Sequence, residues 1–221
     1  MSAIKICGLT IVEDAVAAAE AGATHLGIVF HKQSSRYVSL RRARTLIREV
    51  RCRGHACDWI GVFVDQPAGR ILRIADQLGL NGVQLHGSEP TAAAESLLQH
   101  GLFVVRAFRV SQTSERKAPI AQPASAYLLD SYDPDRFGGT GRSFDWSMVP
   151  ELQLDRPILL AGGLAPENVA AAIRIVRPWG VDVSSGVEIA PGKKSADKMC
   201  RFVAAARAAL QREERHDASP L

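Results

Sequence analysis

The sequence predicts a single-domain (β/α)8 barrel, an α/β fold of the TIM type, on three observations. β-rich apolar runs and helical stretches alternate along the chain, about eight times over. The 221 residues are 47% hydrophobic, enough for one sizeable core, and no stretch reads as a linker, so residues 1–221 are expected to form one domain. The rival architecture is an open doubly wound sheet that binds a nucleotide, but neither GxGxxG nor GxxxxGK[ST] follows a strand.

The first strand is short. In Ile4-Lys5-Ile6-Cys7 the alternation of side chains puts Ile4 and Ile6 on one face and Lys5 and Cys7 on the other. Gly8 turns the chain, and Thr10 with Glu13 fits a capping box for a helix carrying Val12, Val16 and Ala19, which stops at Gly22. A second strand covers 24–30, its loop 31–37 is polar, and Ser39 caps a helix with Leu40, Ala43, Leu46, Ile47 and Val50 on one face. Residues 58–65 make a third strand, and Pro67 opens a helix through Ile71, Ile74 and Leu78 that Gly79 closes.

The fourth strand covers 82–87, Ser88 caps a helix ending near Gly101, and the fifth strand covers 102–108. Pro119 and Pro123 leave room for at most a short helix in 111–123, ahead of a sixth strand at 126–130 and a long loop over 131–146. Strands at 158–161 and 181–184 flank a helix from about Pro166 to Val176. A last helix runs from near Ser195 to about Gln211, leaving 212–221 as a frayed polar tail.

Composition narrows the class of function. The 27 basic and 23 acidic residues leave a net charge of +4, too small an excess for a nucleic-acid partner without a clustered patch, yet welcoming to an anionic small molecule. No apolar run approaches the roughly 18 residues of a membrane span and the start lacks a signal-peptide layout, so a cytoplasmic protein with no membrane partner is expected. Cys7, Cys52, Cys57 and Cys200 show neither CxxC pairs nor disulfide density, which argues against a zinc site and for reduced thiols.

Cys7 sits at a strand-to-helix turn, where folds of parallel strands build active sites, although a lone cysteine is more often a small buried hydrophobe. Asp130 ends the sixth strand and, taken alone, is as readily an Asx-turn or a helix cap. Gly162-Gly163 after the seventh strand and Ser184-Ser185-Gly186 after the eighth lie where barrels bind phosphate through backbone N–H groups. Either alone reads as a tight turn; two at adjacent strand ends favour phosphate. His86 ends the fourth strand and is as suited to lining a pocket as to satisfying a backbone group. Asp182 shares a strand face with Ser184 and is expected to pair with Lys5 inside the barrel.

Several stretches carry a family likeness. Lys-Ile-Cys-Gly-Leu-Thr at 5–10, Gly27-Ile28-Val29-Phe30 with Ser35-Arg36-Tyr37-Val38-Ser39, Gly61-Val62-Phe63-Val64 and Val83-Gln84-Leu85-His86-Gly87 resemble the phosphoribosylanthranilate isomerase family. So do Leu128-Leu129-Asp130-Ser131, Gly138-Gly139-Thr140-Gly141 with Phe144-Asp145-Trp146, Leu160-Ala161-Gly162-Gly163-Leu164, Val181-Asp182-Val183-Ser184-Ser185-Gly186-Val187-Glu188 and Pro191-Gly192-Lys193-Lys194. The fifth strand and the helical segment after it look generic.

The resemblance implies an Amadori rearrangement of N-(5-phosphoribosyl)anthranilate in tryptophan biosynthesis, with no cofactor and no metal. By resemblance Asp130 is the general acid, Cys7 the general base, and Arg36 holds the anthranilate carboxylate with its planar donor fork. The acid role requires Asp130 to keep a proton that an exposed carboxyl would lose, which desolvation or nearby negative charge can arrange. Cys7 must lose one, although a free thiol has a pKa of about 8.5, and Lys5 one pleat below on the same face is placed to help.

The glycine-containing segment after Asp130 reads either as a lid or as a fixed turn. Gln33-Ser34-Ser35 stands where relatives often carry proline, a difference in loop stiffness. The oligomeric state is left as monomer or homodimer. Two rivals stand beside the isomerase: another phosphate-binding barrel enzyme of the tryptophan or histidine pathways, which would be expected to use a lysine and glutamates, and a non-catalytic barrel that binds a phosphorylated metabolite and needs the glycine turns but not Cys7 with Asp130.

Overall fold

Eight parallel strands pair in sequence order, and the last closes on the first: β1 (Ala3–Ile6), β2 (His25–Val29), β3 (Asp58–Phe63), β4 (Gly82–Leu85), β5 (Phe103–Val110), β6 (Ala126–Ser131), β7 (Ile158–Leu160) and β8 (Gly180–Val183). The register of the closure runs from Ala3↔Gly180 to Ile6↔Val183. This computed structural model describes residues 2–110, 122–131, 146–149, 152 and 154–217. Residues 111–121 of the segment 111–123, where at most a short helix is expected, and the Gly138-Gly139-Thr140-Gly141 segment, with its lid-or-turn reading, lie outside the described residues.

Helices α1 (Val12–Glu20), α2 (Leu40–Cys52), α3 (Ala68–Leu78), α4 (Thr91–Gln99), α5 (Val169–Val176) and α6 (Ala196–Asp217) ring the barrel. Strand parity sorts the side chains into two cores. Ile4, Ile6, Leu26, Val83 and Leu129 point outward into the helix layer, while Ala3, Val105, Leu128 and Leu159 fill the barrel floor with Phe103 and Trp179 against them. One step higher inside the barrel the filling turns polar, with Lys5, Gln84 and Asp182 all buried. The carboxyl ends of the strands then form the mouth.

Helix ends follow the expected physics in α2, whose Ser39 side chain accepts from the N–H of Arg42, and in α3, which Gly79 closes in the left-handed region. Elsewhere the structure corrects the reading. Thr10 caps nothing: Ile11 is the N-cap of α1 without a side-chain bond, and the Thr10 hydroxyl donates instead to the carbonyl of Gly192. Ser88 does not cap α4 either. The helix starts after Pro90, because a residue preceding proline is kept out of helical conformation, and the Ser88 N–H goes to Asp65 Oδ1 at 2.7 Å.

The tail expected to fray is instead helix as far as Asp217. Gln211, Arg212, Glu213 and Glu214 are good helix formers, and tertiary contacts hold them: Glu213 pairs with Arg177 at 3.3 Å and Glu214 accepts from the Ser2 hydroxyl at 2.6 Å. A small antiparallel hairpin, β9 (Glu188–Ala190) and β10 (Lys193–Lys194), follows β8 around the turn Pro191-Gly192. No helix among the described residues is long and apolar enough to cross a membrane.

Candidate active site

Cys7 is the first residue beyond β1, anchored by its N–H to the carbonyl of Val183 at 2.8 Å. Gly8 then takes φ +75°, a left-handed turn open to glycine, and a Cβ there would lie 2.5 Å from Cδ of Arg36, so the bare turn is what lets Arg36 cross it. Gly27 on β2 makes room in the same way, since a Cβ there would meet Cys7 Sγ at 2.8 Å. The thiol is 7% exposed. Burial pushes its pKa up; the Lys5 and Lys194 charges pull it down and Asp182 opposes them, and the outcome is a raised value. Lys5 therefore does act on Cys7 in the expected direction, but it does not prevail.

Burial is the first reason, and a second lies directly below. Lys5 Nζ is held 3.0 Å from Asp182 Oδ1 and donates to Gln84 Oε1 at 2.8 Å, all inside the barrel. Burial alone would lower the ammonium, yet Asp182 and then Cys7 more than offset it, so Lys5 stays charged with that charge largely balanced by Asp182.

His86, just past β4, shares the interior face with Gln84, whose Nε2 lies 2.7 Å from His86 Nδ1. Its Nε2 faces Asp130 Oδ2 on β6 at 3.7 Å. Burial first, then the Lys5 and Arg109 charges, drive the imidazole down to about 4 against the pull of Asp182, so at neutral pH it is uncharged and this contact is not an ion pair. Arg109 is the register partner of Asp130 on β5, and so brings a guanidinium to the same part of the mouth. Cys7 just past β1 and Asp130 near the end of β6 are thus linked by a polar chain through Lys5, Gln84 and His86.

Arg36 approaches the mouth from the β2–α2 loop. Its Nε and Nη2 donate to the two oxygens of Glu188 at 2.8 and 2.7 Å, a two-point pair across one edge of the guanidinium. The hydrogen bond to Glu188 raises Arg36 above its ordinary value. Lys194 Nζ completes the cluster 2.8 Å from Glu188 Oε1, and Glu188 is held below the usual carboxylate range because these cations outweigh its burial.

The two glycine-rich turns come together. Gly162 and Gly163 take φ +78° and +66°, and Gly186 is pressed so closely against the β7–α5 loop that a Cβ there would lie 1.8 Å from the carbonyl oxygen of Leu164. Ser184 opens the short turn Ser185–Val187 and accepts from Lys194 through its carbonyl at 3.1 Å. Asn168 ties the α5 side by accepting from Ala165 N and donating to Gly163 O, both at 2.8 Å.

Every sequence-predicted site residue therefore lies at the carboxyl ends of the strands or in the loops leaving them. Four neighbours join the site from outside that predicted set. Gln84 is given by parity with His86, and Arg109 by parity with the inward Ala107. Glu188 and Lys194 stand in matched motifs, but only the β9–β10 hairpin folds them onto Arg36. Among the described residues no group of His, Cys, Asp or Glu side chains is arranged to hold a metal ion.

Comparison with known proteins agrees over nearly the whole chain. The family profile described as N-(5'phosphoribosyl)anthranilate (PRA) isomerase matches residues 4–205. An N-(5'-phosphoribosyl)anthranilate isomerase of Geobacter sp. (strain M21) is 44% identical over 207 residues, which are 94% of this chain and 98% of that one. The crystal structure of phosphoribosyl anthranilate isomerase from Thermotoga maritima superposes with a TM-score of 0.81 at 39% identity, covering 94% of this chain and 100% of that one. A phosphoribosyl anthranilate isomerase in complex with reduced 1-(o-carboxyphenylamino)-1-deoxyribulose 5-phosphate superposes with a TM-score of 0.80 at 38% identity, with the same coverage.

Proposed function

The chain belongs to the N-(5'-phosphoribosyl)anthranilate isomerase family and is an isomerase of tryptophan biosynthesis; from that premise we propose how its barrel mouth carries out an Amadori rearrangement. The observation that carries the reading is the convergence on one mouth of the Cys7 thiol, the Asp130 carboxyl, the Arg36 guanidinium and two glycine-rich turns.

Asp130 acts as general acid, giving its proton to the ring oxygen of the aminoaldose as the C1–O bond breaks and the nitrogen lone pair forms a C1=N iminium. Cys7, as thiolate, then takes the proton from C2, and the C–H electron pair moves into a C1–C2 enamine that relaxes to the ketone. The iminium charge beside Cys7 favours the thiolate at the step that needs it.

Binding follows from the substrate's two anions. Glu188 occupies the Nε/Nη2 edge of Arg36, which turns the Nη1 end of the guanidinium toward the anthranilate carboxylate. The phosphate sits against the backbone N–H groups of Gly162, Gly163, Ser184, Ser185 and Gly186, with Lys194 adding positive charge beneath. The working form is a single domain, and its four unpaired thiols suit a reducing, cytoplasmic setting.

Kinetics of Cys7→Ser and Asp130→Asn test the assignment. Both variants are expected to fold and to bind product normally while kcat falls by about 10²- to 10⁴-fold. Near-wild-type kcat in either one removes that residue from its role.

A further inference from the structure

Gln84 has no chemistry of its own to offer the reaction, yet it is 2% exposed at the centre of the barrel and both ends of its amide are engaged. Its orientation is decided by its neighbours. Lys5 is an ammonium with protons to donate and nothing to accept with, so the end of the amide 2.8 Å from Nζ is the carbonyl oxygen. Asp182, 3.0 Å from the same Nζ, keeps Lys5 charged and in place. The other end, the NH2, then meets His86 Nδ1 at 2.7 Å and can only donate. A ring nitrogen that accepts carries no proton. The single proton of neutral imidazole is left on Nε2, the nitrogen that faces Asp130 Oδ2 at 3.7 Å.

We propose that Gln84 is a positioning residue that locks His86 as its Nε2–H tautomer, so that a fixed neutral donor points at Asp130 and stabilises the carboxylate that forms when Asp130 gives up its proton. The purpose assigned to the donor rests on the acid role of Asp130 proposed above. At 3.7 Å the contact is longer than a hydrogen bond, so it tightens only as negative charge develops on Asp130, and an interaction made in the transition state alone raises kcat and leaves binding alone.

The surroundings keep the ring neutral. His86 is faced by Lys5 on β1, Arg109 on β5, Asp130 on β6 and Asp182 on β8; burial and the two cations outweigh Asp182 and hold the imidazole at about 4. Near neutral pH His86 therefore neither gives nor takes a proton. It serves as a dipole, in contrast to the acid–base substitute that its position at a strand end would suggest.

The test is nitrogen NMR of the free enzyme labelled with ¹⁵N-histidine, together with kinetics of Gln84→Glu. In the wild type the His86 signals are expected to show a bare Nδ1 and a protonated Nε2, unchanged between about pH 7.5 and about pH 5.5. In Gln84→Glu the introduced carboxylate accepts where the amide donated, so the proton moves to Nδ1, or the ring takes a second proton and titrates into the neutral range. Turnover should then fall about tenfold to hundredfold, with KM near the wild-type value.

A wild-type ring protonated on Nδ1, or one titrating near its ordinary value, overturns the lock, and this measurement stands even where Gln84→Glu does not fold. A folded Gln84→Glu with wild-type kcat and pH profile overturns the catalytic purpose. Failure of the acid assignment looks different: wild-type turnover in Asp130→Asn removes the donor's purpose while the Nε2–H signal persists.

Discussion

Lys5 and Asp182 are register partners on β1 and β8, and their side chains meet 3.0 Å apart in the barrel interior. So small a separation has two consequences. The pair lets a lysine that is 1% exposed remain charged, and it sets the Asp182 carboxylate against the pull of that ammonium on Cys7. Burial, the largest influence on the thiol, then prevails with Asp182 behind it, and the thiol is raised in spite of an ammonium on its own strand face.

Removing one member alone should be costly. Lys5→Met leaves the Asp182 carboxylate buried without its cation, and about 3–5 kcal/mol of stability should go, whereas Lys5→Met with Asp182→Leu should recover most of it. Urea unfolding of the single and double variants measures this. A single variant within about 1 kcal/mol of wild type would mean that the pair does not hold the barrel interior.

As the proposed base, Cys7 should also set the alkaline limb of activity. In the proposed mechanism the working state needs Asp130 protonated and Cys7 ionised, and a carboxyl is ordinarily the stronger acid of the two. The active form is then a minor tautomer of the state with one proton on the pair. Its share stays constant between the two pKa values and declines only above that of the thiol, so kcat/KM of the free enzyme should stay level until the pH passes the raised value of Cys7. An alkaline decline beginning below about pH 8 would tie that limb to another group.

Arg36 and Glu188 should behave as a unit in binding. Arg36→Met would remove the proposed contact to the anthranilate carboxylate in ground and transition states alike, so KM should rise by about ten- to a hundredfold while kcat changes little. Glu188→Gln keeps one acceptor oxygen in place of two and loosens the guanidinium, which should raise KM by a smaller factor. In a double-mutant cycle on KM the two effects should fall short of adding. Full additivity would separate Glu188 from the role of aligning Arg36.

Packing of the two glycine turns gives a test for phosphate. Gly186→Ala forces a methyl against the Leu164 carbonyl, 1.8 Å away by geometry, and must spread the turns, so affinity for inorganic phosphate and for product should drop about tenfold or more. Gly69→Ala, where a Cβ has nothing within 4 Å, is the control. Calorimetry that finds equal phosphate affinity in both variants would move the anion elsewhere.

His86 makes folding sensitive to acid. Between its folded value of about 4 and the ordinary 6.5 the unfolded chain binds a proton that the folded chain refuses. The stability it contributes is complete above pH 6.5 and drains away as the pH falls toward 4, by at most about 3 kcal/mol. Unfolding free energies at about pH 7.5 and about pH 4.5 should therefore differ less in His86→Gln than in the wild type. An equal loss in both would assign the acid sensitivity to other groups.

The chain's local patterns determined the barrel. A period of two in the strands and of 3.6 in the helices, with Ser39 and Gly79 as punctuation, are local properties, and so is the parity that puts Lys5 and Cys7 on one face. Local signals misled at two helix starts: Thr10 gives its hydroxyl to the distant Gly192, and Pro90 moves the start of α4 past Ser88, whose N–H goes to Asp65. The polar tail turned out helical through distant partners too, Arg177 and Ser2. What tertiary structure alone decided is which charges face one another. Strand closure sets Asp182 beside Lys5, the β9–β10 hairpin folds Glu188 onto Arg36, and the barrel interior brings Gln84 to Lys5, contacts between residues far apart in the chain. Coulombic and desolvation effects depend on distance in space and on buried surroundings, neither of which is written in sequence spacing, and so the direction of the Cys7 shift could be read only from the folded chain.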